Sequence, residues 1–234
     1  MQAILAIAWR EIYSFFVSLK AWVILTLGLA LFTFFFALLL ADGREASMRS
    51  MFKIMEFLFL TICPILTMGT IAEERRSGTV ELLRTAPVSR TGTVLGKYLG
   101  VMAIFSLLLG LTAHFYGVLE HFGAPDRWPV ATGYVGLLME GGLLVAMGLL
   151  ASSVTSSQAV AGLLTYAGCF TLYALALMAP YVPEAWVGAV TYCGLGTHTG
   201  SLARGLVEVQ DLAYFGSLTV FFLSLTAWHY SNQE

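Results

Sequence analysis

Two acidic residues and one histidine lie within long apolar stretches of the sequence: Glu56, Glu140 and His114. An ionisable side chain at the centre of a bilayer costs about 2.5–3.5 kcal/mol on insertion scales, so such a residue faces protein or water. Gly141 and Gly142 directly follow Glu140 and would let a neighbouring helix approach closely. We therefore keep two roles open for Glu140: a residue of a translocation path, or a protonated or paired acid that fixes helix packing.

Glu56 and His114 are open to the same two roles. Glu56 lies near the outer end of its apolar stretch, where Lys53 or Arg49, about one helical turn away, could pair with it. His114 stands alone, and a metal site requires further ligands, so we interpret it as a helix-packing residue. Thioethers can bind copper(I), but methionine is also a common apolar filler. No metal site is therefore predicted from the methionines, of which four are partly at helical spacing: Met48, Met51, Met55 and Met68.

Sequence patterns of enzymes are missing. There is no HExxH motif, no pair of acids at helical spacing, and no serine that matches His114 in depth. The run GTVLGKY at residues 92–98 is the nearest approach to a phosphate-binding loop, but it lacks the GxxxxGK[ST] spacing. The cysteines are far apart and form no CxxC pair: Cys63, Cys169 and Cys193. The sequence predicts a non-catalytic chain without a cofactor of its own.

The composition is that of a polytopic membrane protein. Of the 234 residues, 58% are hydrophobic and 11% are charged, whereas soluble domains carry roughly 25% charged residues. The net charge of −2 provides no basic surface for nucleic acid. A transmembrane helix needs about 20 apolar residues. Apolar runs predict six spans, at about 21–41, 54–72, 98–119, 133–151, 159–179 and 212–233.

These spans must be helices, because backbone groups in hydrocarbon have to bond within their own segment. We therefore predict an all-α membrane protein with a single domain over residues 1–234. Six spans place both termini on one side, which carries 7 Lys and Arg residues against 5 on the other. The positive-inside rule then predicts cytoplasmic termini.

Two further segments flank the spans. Residues 1–20 have apolar residues at helical spacing, and Trp9 and Tyr13 suit the headgroup level, so we predict an interfacial amphipathic helix. Arg10, Glu11 and Lys20 interrupt any short apolar core, and we expect no cleavable signal. The loop 180–211 is too apolar for an ordinary loop and too rich in glycine for a span. It predicts a re-entrant or interfacial segment on the outer face.

The loop 73–90 is the only strongly charged cytoplasmic loop. Gly78 or Thr79 could cap a short helix, Glu81 would then lie in its favourable first turn, and Pro87 would end it. So short a helix is unstable alone in water and needs a partner surface. Val80 and Leu83 share one face of it, as an apolar knob surrounded by charges. The pattern indicates a docking element, the alternative being a solvated loop that orients the protein.

The run EERRSGTVELLRTAPVSR, followed by GKYLG at residues 96–100, resembles the loop between the second and third spans of type-2 ABC exporter permeases. In that family the loop forms a coupling helix that docks into the nucleotide-binding subunit. The segments 148–158 and 205–215 resemble the gliding-motility and copper-processing branch. The resemblance implies that coupling to the ATPase involves nine residues: Glu74, Arg75, Gly78, Thr79, Val80, Glu81, Leu83, Arg84 and Pro87.

The expected function is therefore that of a permease subunit, a homodimer or a heterodimer with a related permease, in a bacterial inner membrane. ATP and Mg²⁺ would be bound by the partner ATPase, and accessory membrane or periplasmic proteins are candidates for further partners. Two alternatives remain at this point. One is a permease-like regulator or scaffold that moves no substrate, and the other is an intramembrane enzyme.

Overall fold

The structure, a computed structural model, describes residues 2–41, 47–78, 89–122 and 125–231, and this part of the chain is helical without strands. In chain order the helices are α1 (Gln2–Val17), α2 (Leu19–Ala41), α3 (Met48–Thr67), α4 (Ala72–Arg76), α5 (Arg90–Leu111), α6 (His114–Phe122), α7 (Arg127–Val154), α8 (Gln158–Met178), a 3₁₀ turn (Ala179–Tyr181), α9 (Glu184–Cys193), α10 (Leu195–Leu202) and α11 (Val209–Ser231).

Six of the helical segments are long and apolar enough to cross a membrane: Leu19–Ala41, Met48–Arg76, Arg90–His121, Arg127–Val154, Gln158–Tyr181 and Val209–Ser231. The predicted all-α membrane protein with six spans is thereby confirmed. We call the side on which α1, α4 and the start of α5 lie the α1 face, and the other side the α10 face. The chain crosses between these two faces six times.

Three spans begin well earlier than predicted, and the second span begins at Met48 rather than at about residue 54. The third span begins at Arg90, seven residues before Lys97. Ser89 caps this helix, because its side chain accepts a hydrogen bond from the backbone N–H of Gly92. The fourth span extends over Arg127–Val154 rather than about 133–151. Glu140 therefore lies near the middle of its helix instead of near one end.

The second and third spans are each interrupted. Between α3 and α4 the chain makes a turn at residues 68–71, and between α5 and α6 it makes one at Thr112 and Ala113. The hydroxyl of Thr112 donates to the carbonyl oxygen of Leu109 at 2.6 Å and lies 3.2 Å from the hydroxyl of Tyr134 on α7. Side chains thus satisfy backbone groups that these breaks leave open in an apolar setting.

Helix α7 forms the centre of the bundle and packs against α3, α5, α8, α10 and α11. Glycines allow the close approach: Gly141 receives the ring of Phe105 from α5, and Gly148 receives Thr67 from α3. A side chain at either position would overlap its neighbour, as expected for small residues at helix crossings within a membrane. By contrast α2, α8 and α11 bury less than a quarter of their apolar windows.

The segment predicted as re-entrant or interfacial folds into the pair α9 and α10, of 10 and 8 residues, which are both too short to cross a bilayer. Helix α10 buries Leu195, His198, Thr199 and Leu202 against the bundle, whereas no residue of α9 is buried. Gly194 lies between them against the backbone of Ala176, where a Cβ would be 2.6 Å from the amide nitrogen. The depth of this pair in the membrane stays a prediction.

The predicted orientation gives a labelling experiment. In a Cys193→Ser background, which removes the one exposed native cysteine, an impermeant maleimide should label a cysteine at Ser89 only from the cytoplasm. It should label a cysteine at Asp126 only from outside, because an odd number of spans separates the two exposed positions. Reversed labelling would contradict the orientation, and labelling of both from one side would contradict the span count.

Candidate functional site

A buried lysine organises the α1 face. Lys97 lies on α5 with a completely buried side chain, and its Nζ donates to Glu11 Oε1 at 2.9 Å and to the carbonyl oxygen of Thr70 at 2.7 Å. The same Nζ forms an ion pair with Glu74 Oε1 at 2.8 Å. Lys97 thus connects α1, the turn before α4, and α4 itself.

Arg10 completes this group, which we call the Lys97 cluster (Arg10, Glu11, Glu74 and Lys97). Its Nη2 donates to Glu74 Oε1 at 2.6 Å and to Glu11 Oε1 at 3.1 Å. Partial burial alone would lower the pKa of Arg10, but the hydrogen bonds and charges of Glu11 and Glu74 raise it above its ordinary value. Two cations and two anions compensate each other, so the cluster is neutral as a whole.

Helix α1 packs directly on α5 through glycines. A Cβ on Gly96 would lie 2.8 Å from Cβ of Ile7, and one on Gly100 would lie 2.7 Å from Cβ of Glu11. Glu11 points towards the bundle, because its carboxylate is held by Lys97.

Ser152 of α7 fastens the start of α4 from another side. Its Oγ accepts hydrogen bonds from the backbone N–H groups of Ile71 at 3.1 Å and Ala72 at 3.0 Å, and it donates to the carbonyl oxygen of Met68 at 3.2 Å. Ser152 is completely buried. The sequence predicts that the fourth span ends at about residue 151, but the helix continues to Val154 and thereby includes Ser152.

Helix α4 leads into the segment predicted to couple to an ATPase. Glu74 belongs to the Lys97 cluster and Arg75 lies in the last turn of α4. Gly78 has a φ of +71°, the left-handed conformation that ends helices, so it terminates α4. The remaining predicted coupling residues lie outside the described part of the chain: Thr79, Val80, Glu81, Leu83, Arg84 and Pro87.

The intramembrane acids Glu56 and Glu140 lie on α3 and α7 and are not members of this cluster. Glu140 is completely buried, and neither of its carboxylate oxygens has a hydrogen-bond partner within the described residues. Glu56 is 6% exposed and close enough to act on Glu140 electrostatically. Its side chain lies beside Thr199 and Gly196 of α10. Lys53 acts on Glu56 electrostatically, although Glu56 is buried in the bundle, so the expected pair with Lys53 or Arg49 stays a prediction.

His114 is not brought near these acids. It is exposed at the break between α5 and α6, and its Nδ1 lies 2.6 Å from the carbonyl oxygen of Leu111. A proton on Nδ1 would cap a carbonyl group that the break leaves open. Glu56 and Glu140 are thus both buried in the bundle, whereas His114 is exposed and bonds to its own helix.

A family model for the ABC-2 family transporter proteins matches residues 44–192, well over half of the chain. The chain belongs to this family. The matched region begins just before the second span and ends within α9, so it contains α4 and the whole 73–90 loop. No curated protein matches the chain. The protein is therefore a multi-pass membrane component of an ABC-2 transporter, a permease.

The α10 face of the permease holds a polar group that the sequence analysis did not find. His198 Nδ1 lies 2.6 Å from Asp211 Oδ1, and His198 Nε2 lies 2.8 Å from the carbonyl oxygen of Tyr192. The hydroxyl of Ser201 bonds to the other oxygen of Asp211. These partners come from three separate helices, so no local spacing in the sequence could predict their contacts.

This serine, histidine and aspartate do not form a nucleophilic site. Both ring nitrogens of His198 are occupied by groups other than Ser201, so the ring cannot take the proton of that hydroxyl. The group instead fastens α10 to the start of α11. Likewise the GTVLGKY run of the permease is part of α5, where Gly96 and Lys97 pack against α1.

Proposed function

We propose that this permease is the membrane subunit of a type-2 ABC exporter and that a separate ATPase docks onto its 73–90 segment. The observation that carries the proposal is the attachment of α4. The segment leaves the bundle through α4, and this short helix is bonded to α1, α5 and α7 through Lys97, Arg10 and Ser152.

The attachment supports a mechanical role. Five residues are too few for a helix to be stable by itself, so α4 depends on these bonds for its position. Separating Lys97 from its carboxylates would leave buried charges uncompensated, which is strongly unfavourable. A displacement of the loop would therefore move α4 together with α1 and α5 rather than unfold it. Closure of the ATPase would rearrange the spans in this way and open a path outward.

A second permease copy, identical or related, completes the proposed transporter. The apolar surfaces of α2, α8 and α11 are largely exposed in the single chain, so part of this surface is available to pack against a second copy while the rest faces lipid. The termini would lie in the cytoplasm of a bacterial cell, and ATP with Mg²⁺ would be bound by the partner. The gliding-motility and copper-processing branch is the subdivision to which we assign the permease.

A regulator or scaffold that moves no substrate is the alternative function within the same family. It would use the same docking segment and the same α4 attachment. Stimulation of ATPase activity by a transported substrate distinguishes the exporter from the scaffold.

The docking role predicts the behaviour of Leu83→Asp. Burial of Leu83 in a groove of the partner would contribute about 1.5–3 kcal/mol, and the substitution would place a charge there instead. We expect the variant to insert and dimerise normally but to lose the ATPase, or to retain it with hydrolysis uncoupled from transport. The measurements are co-purification with the ATPase and transport in reconstituted vesicles.

Leu206→Asp is the matched control, because Leu206 is an exposed leucine in a loop of the α10 face. It should leave both ATPase binding and transport unchanged. Normal ATPase binding and normal transport in Leu83→Asp would contradict the coupling role of the loop.

A further inference from the structure

A cavity of about 490 Å³ opens at the α1 face, beside the Lys97 cluster. It lies between α1, the start of α2, the α3–α4 turn and the start of α8. This volume falls within the range of about 300–1,000 Å³ that is typical of small-molecule sites. The coupling proposal gives the cavity no role.

The cavity is lined by both charged and apolar side chains. The charged residues are Arg10, Glu11, Lys20, Glu73 and Glu74, and the apolar residues include Phe15, Ile24 and Ile65. Such a lining matches an amphipathic ligand, which has a polar end and a hydrocarbon part.

The charged residues of the lining can offer hydrogen bonds and ionic contacts to a ligand. Lys20 Nζ and Glu73 Oε2 are 3.6 Å apart, with side chains that are 57% and 52% exposed, so this is a loose pair at the rim. Such exposed pairs contribute little stability and are readily exchanged for a ligand. Arg10 uses Nη2 for Glu11 and Glu74, and a guanidinium group has further donors on Nη1 and Nε.

The depth of the cavity fits the headgroup region. Trp9 and Tyr13 are exposed on α1, and Trp22 at the start of α2 is 56% exposed and donates its indole N–H to the carbonyl oxygen of Phe16. Tryptophan and tyrosine are enriched at this level of membrane proteins. A ligand that enters from the bilayer reaches the cavity at the height of its own headgroup.

The charges select among lipids. A phosphate can bind Arg10 and Lys20, but a purely anionic lipid would leave the lining acids Glu11, Glu73 and Glu74 facing negative charge. A quaternary ammonium group has no N–H to donate to a carboxylate, whereas a primary ammonium group has three donors. The charge pattern is therefore complementary to a zwitterionic lipid that carries a primary amine.

We propose that this cavity binds one zwitterionic phospholipid with a primary-amine headgroup. Its phosphate contacts Arg10 and Lys20, its ammonium group contacts Glu73, and an acyl chain lies along Phe15, Ile24 and Ile65. The bound lipid joins α1 to α2 and α4 and thereby supports the Lys97 cluster. This inference does not depend on the docking of an ATPase.

Native mass spectrometry of the full-length permease tests the proposal. The protein is reconstituted in nanodiscs with equal amounts of phosphatidylethanolamine, phosphatidylcholine and phosphatidylglycerol, released gently, and analysed for retained lipid. We expect one retained phosphatidylethanolamine with roughly tenfold preference over phosphatidylcholine, as for one charge-assisted hydrogen bond. Glu73→Gln should abolish this preference.

Ile24→Trp should fill the apolar part of the cavity and abolish retention without touching a charge. Leu27→Trp is its matched control, since Leu27 is 58% exposed on the same helix outside the cavity lining, and it should retain the lipid. Lys20→Arg should retain the lipid as well. Equal retention of the three lipids, retention of phosphatidylglycerol alone, or unchanged retention in Ile24→Trp would overturn the proposal.

Discussion

Replacement of Lys97 by methionine should destabilise the permease by about 3–5 kcal/mol, because it removes the cation from a buried group of charges. Methionine keeps most of the volume of the lysine side chain, so the loss of charge dominates over loss of packing. Glu11 and Glu74 would then lose the buried cation between them and keep their contacts with Arg10, and the carbonyl oxygen of Thr70 would lose the Lys97 donor. Thermal unfolding of the detergent-solubilised protein measures the effect.

Two further variants show that the loss comes from the cluster. Lys53→Met removes an exposed lysine and should leave the unfolding temperature nearly unchanged. Adding Glu11→Gln to Lys97→Met should recover part of the stability, since it removes one of the two carboxylates that the lysine compensated. If Lys97→Met and Lys53→Met unfolded at the same temperature, the Lys97 cluster would not hold α1 and α4.

The second large effect is expected at Glu140. This acid is fully buried near the middle of α7, and within the described residues no donor reaches its oxygens. A carboxylate in such a place is stable only when it carries a proton, so we expect a neutral acid. Glu140→Gln should then fold and assemble nearly as the native protein does. Glu140→Lys should cost about 2.5–3.5 kcal/mol and damage insertion or assembly.

The measurement is the yield of monodisperse protein from membranes together with its unfolding temperature. Glu120→Lys, at an exposed position of α6, is the control and should be tolerated. If lysine were tolerated at Glu140 as well as glutamine is, the residue would face water or lipid headgroups. Glu140 would then belong to an open path rather than to a closed helix crossing.

Charged residues limited the prediction of the spans, because the spans were predicted mainly as uncharged runs that ended at the next charged residue. Lys97 was taken as the end of a loop, although it lies seven residues inside α5. A lysine in that place is stable only because Glu11, 86 residues earlier in the chain, reaches it. A sequence pattern shows which residues are charged, but not which distant residue compensates them.

The other missed features have the same origin. Ser152 is hydrogen-bonded to backbone groups about 80 residues away, and His198 meets Asp211 only because α10 folds back onto α11. Neither contact has a local spacing that could be recognised. By contrast Gly141 and Gly142 indicated a close helix approach correctly, since a missing side chain is itself a local signal.

The sequence by itself determined the class of protein, the number of spans and the family, because apolar length and the motif around residues 73–90 are both local properties. It could not determine how the charges are paired. Only the tertiary structure decided that α1 packs on α5, that α4 is bonded to three other helices, and that Glu56 is buried beside α10. The physical reason is that a charge inside an apolar bundle is stable only with a partner, and folding brings that partner from elsewhere in the chain.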